Sequence, residues 1–130
     1  MKIAHPTILV IDDHADTLSL LVDLLESAEY RVESALSATA GLGLLQHTPV
    51  DLILVDLLLP DMSGLEFCER VRAREQLQLV PIILASAASG VCWNESSATA
   101  GANSYISKPF DIDYLLGLVQ MHLAPVAALR

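Results

Sequence analysis

Three stretches of the chain are apolar at every consecutive position: Ile8-Leu9-Val10-Ile11, Leu52-Ile53-Leu54-Val55 and Ile82-Ile83-Leu84-Ala85. A strand with one wet face alternates apolar and polar residues, so an unbroken apolar run points to a strand covered on both faces, as in a parallel sheet packed between helices. Weaker strand-like runs and helical stretches complete an alternation repeated five times, which predicts an α/β domain with a parallel sheet. The strands are expected at Thr7 to Asp12, Arg31 to Ala35, Leu52 to Asp56, Val80 to Ala85 and Ser104 to Ser107, with the three continuous runs at the sheet centre.

Between the strands, Leu18, Leu21, Val22 and Leu25 recur at helical spacing, and Leu65, Cys68 and Val71, aided by the aliphatic stem of Glu66, form a second such face. Ser37 and Ser63 stand where helix N-caps belong, and Ser63 with Glu66 spells a Ser-x-x-Glu capping box. The last helix is expected to start near Asp111 and to end by Pro125. One domain over residues 7–123 follows, with an N-terminal extension at 1–6 and a tail or linker stub at 124–130.

Composition narrows the function. With 53% apolar and 18% charged residues the chain can build a packed core. A formal charge of −9, with seven Lys and Arg in all, argues against direct nucleic-acid binding, which needs clustered cations. Cys68 and Cys92 fit neither a CxxC nor a zinc spacing and read as free thiols of a reducing compartment. Met1 to Pro6 lacks the apolar core of a signal peptide and no run is long enough to span a membrane, so a cytoplasmic protein is expected.

Chemistry-bearing residues follow the apolar runs. The first strand leads into Asp12-Asp13, the third ends in Asp56, the fourth is followed by Ser86 and the fifth by Lys108-Pro109. In an open parallel sheet these carboxyl ends gather near the point where strand order reverses. Three carboxylates drawn together repel unless a cation neutralises them. A hard divalent ion such as Mg2+, which prefers oxygen ligands and keeps several waters, suits an open acidic cluster. Lys108 adds positive charge and Ser86 a hydroxyl, an assembly in which a carboxylate can accept a phosphoryl group.

These words, in this order and spacing, closely resemble the receiver domain of bacterial response regulators over about residues 6–122. They are Ile8-Leu9-Val10-Ile11-Asp12-Asp13, Asp56-Leu57-Leu58-Leu59-Pro60-Asp61-Met62-Ser63-Gly64, Ser86-Ala87, Ala100-Gly101-Ala102 and Tyr105-Ile106-Ser107-Lys108-Pro109-Phe110. The resemblance implies a flavodoxin-like (βα)5 sandwich with sheet order 2-1-3-4-5 and helices on both faces. It implies Mg2+ held by Asp12, Asp13, Asp56 and the Leu58 backbone carbonyl, with Asp56 as phosphoacceptor and Ser86 and Lys108 on the phosphoryl group. Tyr105 falls at the aromatic switch position beside Ser86, and the Lys108–Pro109 bond should be cis. The phosphoryl donor would be a sensor histidine kinase or a histidine phosphotransfer protein.

Other readings are weaker. Gly41-Leu42-Gly43 lacks the third glycine of a phosphate loop and sits in a helical pattern. His5, His14, His47 and His122 show no metal-ligand pairing, and His14 reads as a loop residue. A haloacid-dehalogenase-type hydrolase would carry an acid-base Asp two positions after the nucleophile, where this chain has Leu58. A receiver-like interaction domain that is never phosphorylated is the alternative, although such domains typically lose an acidic residue or the lysine.

Two segments depart from the family pattern. Residues 89–99, where a helix is expected, are rich in Gly, Asn, Ser and Thr, with Trp93 either a core anchor or an exposed partner contact. The last helix carries Tyr114, Leu118 and Met121 on the side away from Ile112, Leu115, Leu116 and Val119, an apolar excess that predicts a protein partner, most simply a second copy of the domain. The face made by residues 89–100, the last strand and this helix is the expected output surface.

Overall fold

The computed structural model describes residues 5–86 and 100–128, and of residues 124–128 the backbone alone, and among these described residues five strands and four helices alternate. In chain order they are β1 (Thr7–Ile11), α1 (Ala15–Ser27), β2 (Arg31–Ala35), α2 (Ala38–Leu45), β3 (Leu52–Asp56), α3 (Gly64–Arg72), a 3-10 turn at Glu75–Leu77, β4 (Ile82–Ser86), β5 (Ser104–Ser107) and α4 (Ile112–Ala128). The helix expected over 89–99, with Cys92 and Trp93, lies outside the described residues.

All neighbouring strands pair in parallel, in the order β2-β1-β3-β4-β5. This is the flavodoxin-like arrangement, and β1, β3 and β4, the continuously apolar runs, occupy its interior. Period-two alternation sorts their side chains onto two faces. Ile8, Val10, Leu52, Leu54, Ile83 and Ala85 pack with Leu18, Leu21 and Leu25 of α1 and Leu115, Val119 and Leu123 of α4. Leu9, Ile11, Ile53, Val55, Ile82 and Leu84 pack on the opposite face with Ala38 and Leu45 of α2 and Phe67, Cys68 and Val71 of α3.

Element boundaries move by a residue or two for identifiable reasons. β4 begins at Ile82 rather than Val80, because Pro81 has no N–H to give the ladder and only its carbonyl accepts, from Ile53. It ends on Ser86, which pairs with Ser107. α4 runs to Ala128, past the expected stop at Pro125. The proline φ of about −65° is itself a helical value, so the backbone can continue through Pro125.

The helix faces also shift. α1 buries Leu18, Leu21 and Leu25 and leaves Val22 half-covered. α3 turns Phe67 fully inward beside Cys68 and Val71, while Leu65 is half-buried and Glu66 exposed. Ser63 Oγ accepts from the Glu66 amide at 3.1 Å, the first half of the expected capping box, but the Glu66 carboxylate pairs with Arg70 at 2.8 Å rather than folding back. The four-residue spacing to an arginine offers that carboxylate a charged partner. Cys68 is a free thiol, and burial, with Glu69 adding to it against Arg72, pushes it up to about 12.

On α4, Tyr114 and Met121 are exposed as expected. Leu118, however, is half-buried against the core, and it is Ile112 that faces outward. The helix starts at Ile112 with Asp111 as its cap, the Asp111 carboxylate accepting from the Tyr114 amide, so Ile112 lies on the first, incompletely covered turn.

Two glycines report how closely the layers approach. A β-carbon at Gly64 would stand 2.8 Å from the Asp56 carbonyl oxygen and 2.9 Å from Leu57 Cα, both backbone atoms, whereas one at Gly43 would meet nothing within 4 Å. Gly64→Ala is therefore expected to cost about 1–3 kcal/mol through overpacking. Gly43→Ala is expected to gain about 0.5–1 kcal/mol from helix propensity. Urea denaturation of the two variants measures both, and equal effects would contradict this packing.

Candidate functional site

Sheet order reverses between β1 and β3, and the crevice at their carboxyl ends collects the polar residues of the interior. Asp12, Asp56 and Ser86 are the buried polar residues among those described, at 2%, 6% and 1% exposure. Asp12 follows β1 directly, Asp56 closes β3 and Ser86 closes β4. The ladder register thus brings three polar side chains from distant parts of the sequence to one edge.

Lys108, just after β5, supplies the charge balance. Its backbone amide donates to the Ser86 carbonyl at 3.0 Å, and its Nζ donates to Asp12 Oδ2 at 2.5 Å and to Asp56 Oδ2 at 3.1 Å. Burial by itself would lower the ammonium. The hydrogen bond to Asp12 and the charges of Asp56 and Asp12 outweigh it and hold Lys108 above the ordinary lysine value. The Lys108–Pro109 bond is cis, as expected.

The second oxygen of each buried carboxylate is held locally. Asp12 Oδ1 accepts from the His14 amide at 2.9 Å, and Asp56 Oδ1 from the Leu58 amide at 3.3 Å. Asp13 is exposed at the mouth, and His14, expected as a loop residue, is the N-cap residue of α1. Its Nδ1 nonetheless stands 3.3 Å from Asp13 Oδ1 and 3.5 Å from Asp12 Oδ1. Ligand spacing along the sequence could not reveal this, because the partners are its immediate neighbours.

One ligand atom each from Asp12, Asp13, His14 and Asp56 lies within 4.8 Å of the others, a set that could hold a metal ion. Three of the four are carboxylates, the hard donors that magnesium prefers. The adjoining cavity, about 290 Å³, is lined by Asp13, His14, Thr17, Asp56, Leu58, Ser86 and Lys108, leaving room for water or a phosphoryl group beside the carboxylates. Every candidate residue after the strands therefore converges here.

Tyr105 stands on β5 beside this edge, half-buried, and its hydroxyl donates to the Ser86 carbonyl at 3.5 Å. The remaining histidines lie elsewhere. His5 and His47 are exposed, and His122 Nε2 is 2.7 Å from Ser104 Oγ.

Asp61 has a position that the sequence did not reveal. From the loop after β3 its carboxylate accepts from the α2 amides of Ala38 at 3.2 Å and Thr39 at 2.8 Å, and from the Thr39 hydroxyl at 2.6 Å. The Thr39 hydroxyl bond, with the backbone amides, outweighs desolvation and lowers it to about 2. Ser37, the cap expected from the sequence, accepts from the Ala40 amide at 3.1 Å, but α2 has no acidic residue in its own first turn and nothing local to that helix signals the second acceptor, Asp61.

The family model described as response regulator receiver domain matches residues 8–120. The chain is 33% identical over 115 residues to the DNA-binding dual master transcriptional regulator RpaA of a Synechocystis species, covering 88% of this chain and 48% of that protein. It is 35% identical over 116 residues to the response regulator ArlR of Staphylococcus saprophyticus, covering 89% and 51%. The chain thus spans about half the length of these curated relatives. The structure of the chemotaxis response regulator CheY4 of Vibrio cholerae superposes with a TM-score of 0.86 at 28% identity, covering 92% of this chain and all of that one. Among the described residues no helix is long and apolar enough to cross a membrane.

The Asp61 bonds make a pH-dependent prediction. A carboxyl lowered from 3.8 to about 2 by folding contributes stability that is present above 3.8 and is lost as pH falls through about 2. The side-chain carboxyl resonance of Asp61 should titrate with a midpoint near 2, and Thr39→Val should move that midpoint upward. A wild-type midpoint near 3.8 would show that the α2 cap is not formed in solution.

Proposed function

Because the chain belongs to the response regulator receiver domain family, whose members are signalling switches that receive phosphoryl groups from histidine kinases, we propose that it accepts a phosphoryl group on Asp56 with Mg2+ bound. The observation that carries this reading is the shared lysine. Lys108 bridges two buried carboxylates, Asp12 and Asp56, at the rim of a cavity that also presents Asp13 and Ser86.

Asp12, Asp13 and Asp56 would hold the ion, with the Leu58 carbonyl, and the donor set of hard oxygens fits it. Bound there, Mg2+ supplies positive charge to the phosphoryl oxygens and relieves carboxylate repulsion. An Asp56 carboxylate oxygen then forms a bond to phosphorus as the phosphorus–nitrogen bond of a phosphohistidine donor breaks, and the imidazole leaves with the electron pair. Lys108 neutralises oxygen charge on the transferring group, and the Ser86 hydroxyl donates to it. The donor would be a sensor histidine kinase or histidine phosphotransfer protein of the cytoplasm.

Output follows from how these groups are mounted. Ser86 and Lys108 end or follow adjacent strands, and the Tyr105 hydroxyl rests on the Ser86 carbonyl. A phosphoryl group drawing Ser86 and Lys108 inward would change the environment of Tyr105 and so the face of β5 and α4. Tyr114 and Met121 on α4 are exposed, at 57% and 55%, and a second copy of the domain is the partner this reading favours. Direct nucleic-acid binding by this domain is not part of the reading, given its charge of −9.

Acetyl phosphate with Mg2+ should label the wild-type domain and not Asp56→Asn, and Asp13→Ala should weaken Mg2+ binding. Labelling of Asp56→Asn equal to wild type would sink the assignment, and an unlabelled wild type would favour an interaction domain that is not phosphorylated. For the output face, Met121→Glu is expected to weaken self-association in sedimentation while leaving Asp56 labelling intact. A wild type that stays monomeric at high concentration, with and without beryllofluoride, would remove the homodimer.

A further inference from the structure

The loop between β3 and α3 carries the chain from Asp56 past Leu58, and its two ends are tightly bonded. The Leu57 amide donates to the Ala85 carbonyl at 2.7 Å, the Gly64 amide donates to the Leu57 carbonyl at 2.7 Å, and Leu58 and Ser63 form an isolated antiparallel bridge. Asp61 lies between Leu58 and Ser63. Its carboxylate reaches across to α2 and makes three hydrogen bonds, one to the Ala38 amide and two to Thr39.

These bonds do more than finish a helix. The first-turn amides of α2 need acceptors, and Ser37 Oγ takes the Ala40 amide while Asp61 takes the two before it. A carboxylate at this helix end is also favoured by the helix dipole. The Asp61 carboxyl is held near 2, so the acceptor stays ionised at every ordinary pH. α2 is itself fixed, since Ala38 and Leu45 are buried in the core and Gly41 lies against Ile11 of β1. Asp61 therefore ties the loop to an element rooted on the sheet. The other end of the same loop holds the Leu58 amide on Asp56 Oδ1, at a rather long 3.3 Å.

We propose that Asp61 is a positioning residue: by fastening the β3–α3 loop to the first turn of α2, it holds Leu58 against Asp56 and so sets the affinity of the acidic site for a divalent cation. Asp61 touches neither the ion nor the phosphoryl group and acts through the loop backbone. The inference rests on the phosphoacceptor reading above and assigns within it a residue outside the acidic cluster.

Removing a group that orients a metal ligand from behind typically lowers affinity 10- to 100-fold. Asp61 acts across several residues, so on the order of tenfold, the lower end of that range, is expected for Asp61→Ala. Mg2+ titrations followed by the amide resonances of Asp56 and Leu58 read that affinity directly. Labelling by acetyl phosphate should slow at low Mg2+ and recover at saturating Mg2+, because the acceptor itself is intact. Asp61→Asn retains one carbonyl acceptor and should fall between Ala and wild type. Thr39→Val, which loses the hydroxyl alone, should move the same way by less.

A purely structural role would lower the thermal midpoint of these variants and leave their Mg2+ affinity at the wild-type value, and that result would overturn the proposal. Should Asp61→Ala fail to fold, Asp61→Asn and Thr39→Val carry the same test. Asp13→Ala and Asp56→Asn serve as references. If they too bind Mg2+ and take up phosphate like wild type, the phosphoacceptor reading itself has failed. If they behave as expected and the Asp61 and Thr39 variants bind Mg2+ normally, only the positioning role is lost.

Discussion

Two carboxylates cannot be buried side by side without a cation, and most of what is distinctive in this domain answers that constraint. Asp12 and Asp56 are nearly inaccessible, and each gives one oxygen to Lys108 Nζ. Leaving either charge unpaired in such a place would cost several kcal/mol. The lysine is itself carried by the cis Lys108–Pro109 segment that follows β5, and its amide is tied to Ser86. Charge balance at the site therefore depends on the pairing of β4 with β5 at the far side of the sheet.

The groups that would meet the phosphoryl oxygens in the proposed reaction end β4 or follow β5, the strand that carries Tyr105, and Ala85 of β4 and Ile106 of β5 pack with the buried stripe of α4. The opposite side is braced differently. Arg72 at the end of α3 donates to the carbonyls of Leu77 and Gly101 and to Asn103 Oδ1, and Asn103 Oδ1 also accepts from the Ile82 amide. One guanidinium thus joins α3, the turn before β4 and the chain entering β5.

The acceptor loop shows the same economy. Gly64 permits α3 to begin against the backbone of Asp56, Ser63 caps the helix, and Asp61 reaches back to α2. The loop that follows the proposed phosphoacceptor is therefore braced at both ends and in the middle, by two helices that share one face of the sheet. Such bracing matters because a ligand displaced by a fraction of an ångström binds a small, strictly octahedral ion poorly.

Much of this was legible in the residues alone. Continuous apolar runs identified β1, β3 and β4 as interior strands, since burial on both faces leaves no polar position. The polar residues that end or follow the strands marked the site, because parallel strands deliver their carboxyl ends to a common edge. What the sequence could not determine were relations with no local signature. Phe67 rather than Leu65 faces the core because the docking angle of α3 sets which side is inward. Leu118 turns in for the same reason on α4, while Ile112 faces out on its first, incompletely covered turn. The Glu66 carboxylate takes Arg70 over the helix amide, a choice between two neighbours that only side-chain geometry settles. His14 approaches Asp13, and Asp61 finds α2 from 22 and 23 positions away along the chain, through contacts made after the loops are in place. Periodicity records what each element buries, and it is silent on which distant backbone a charged side chain will meet, because that distance exists only in the assembled fold.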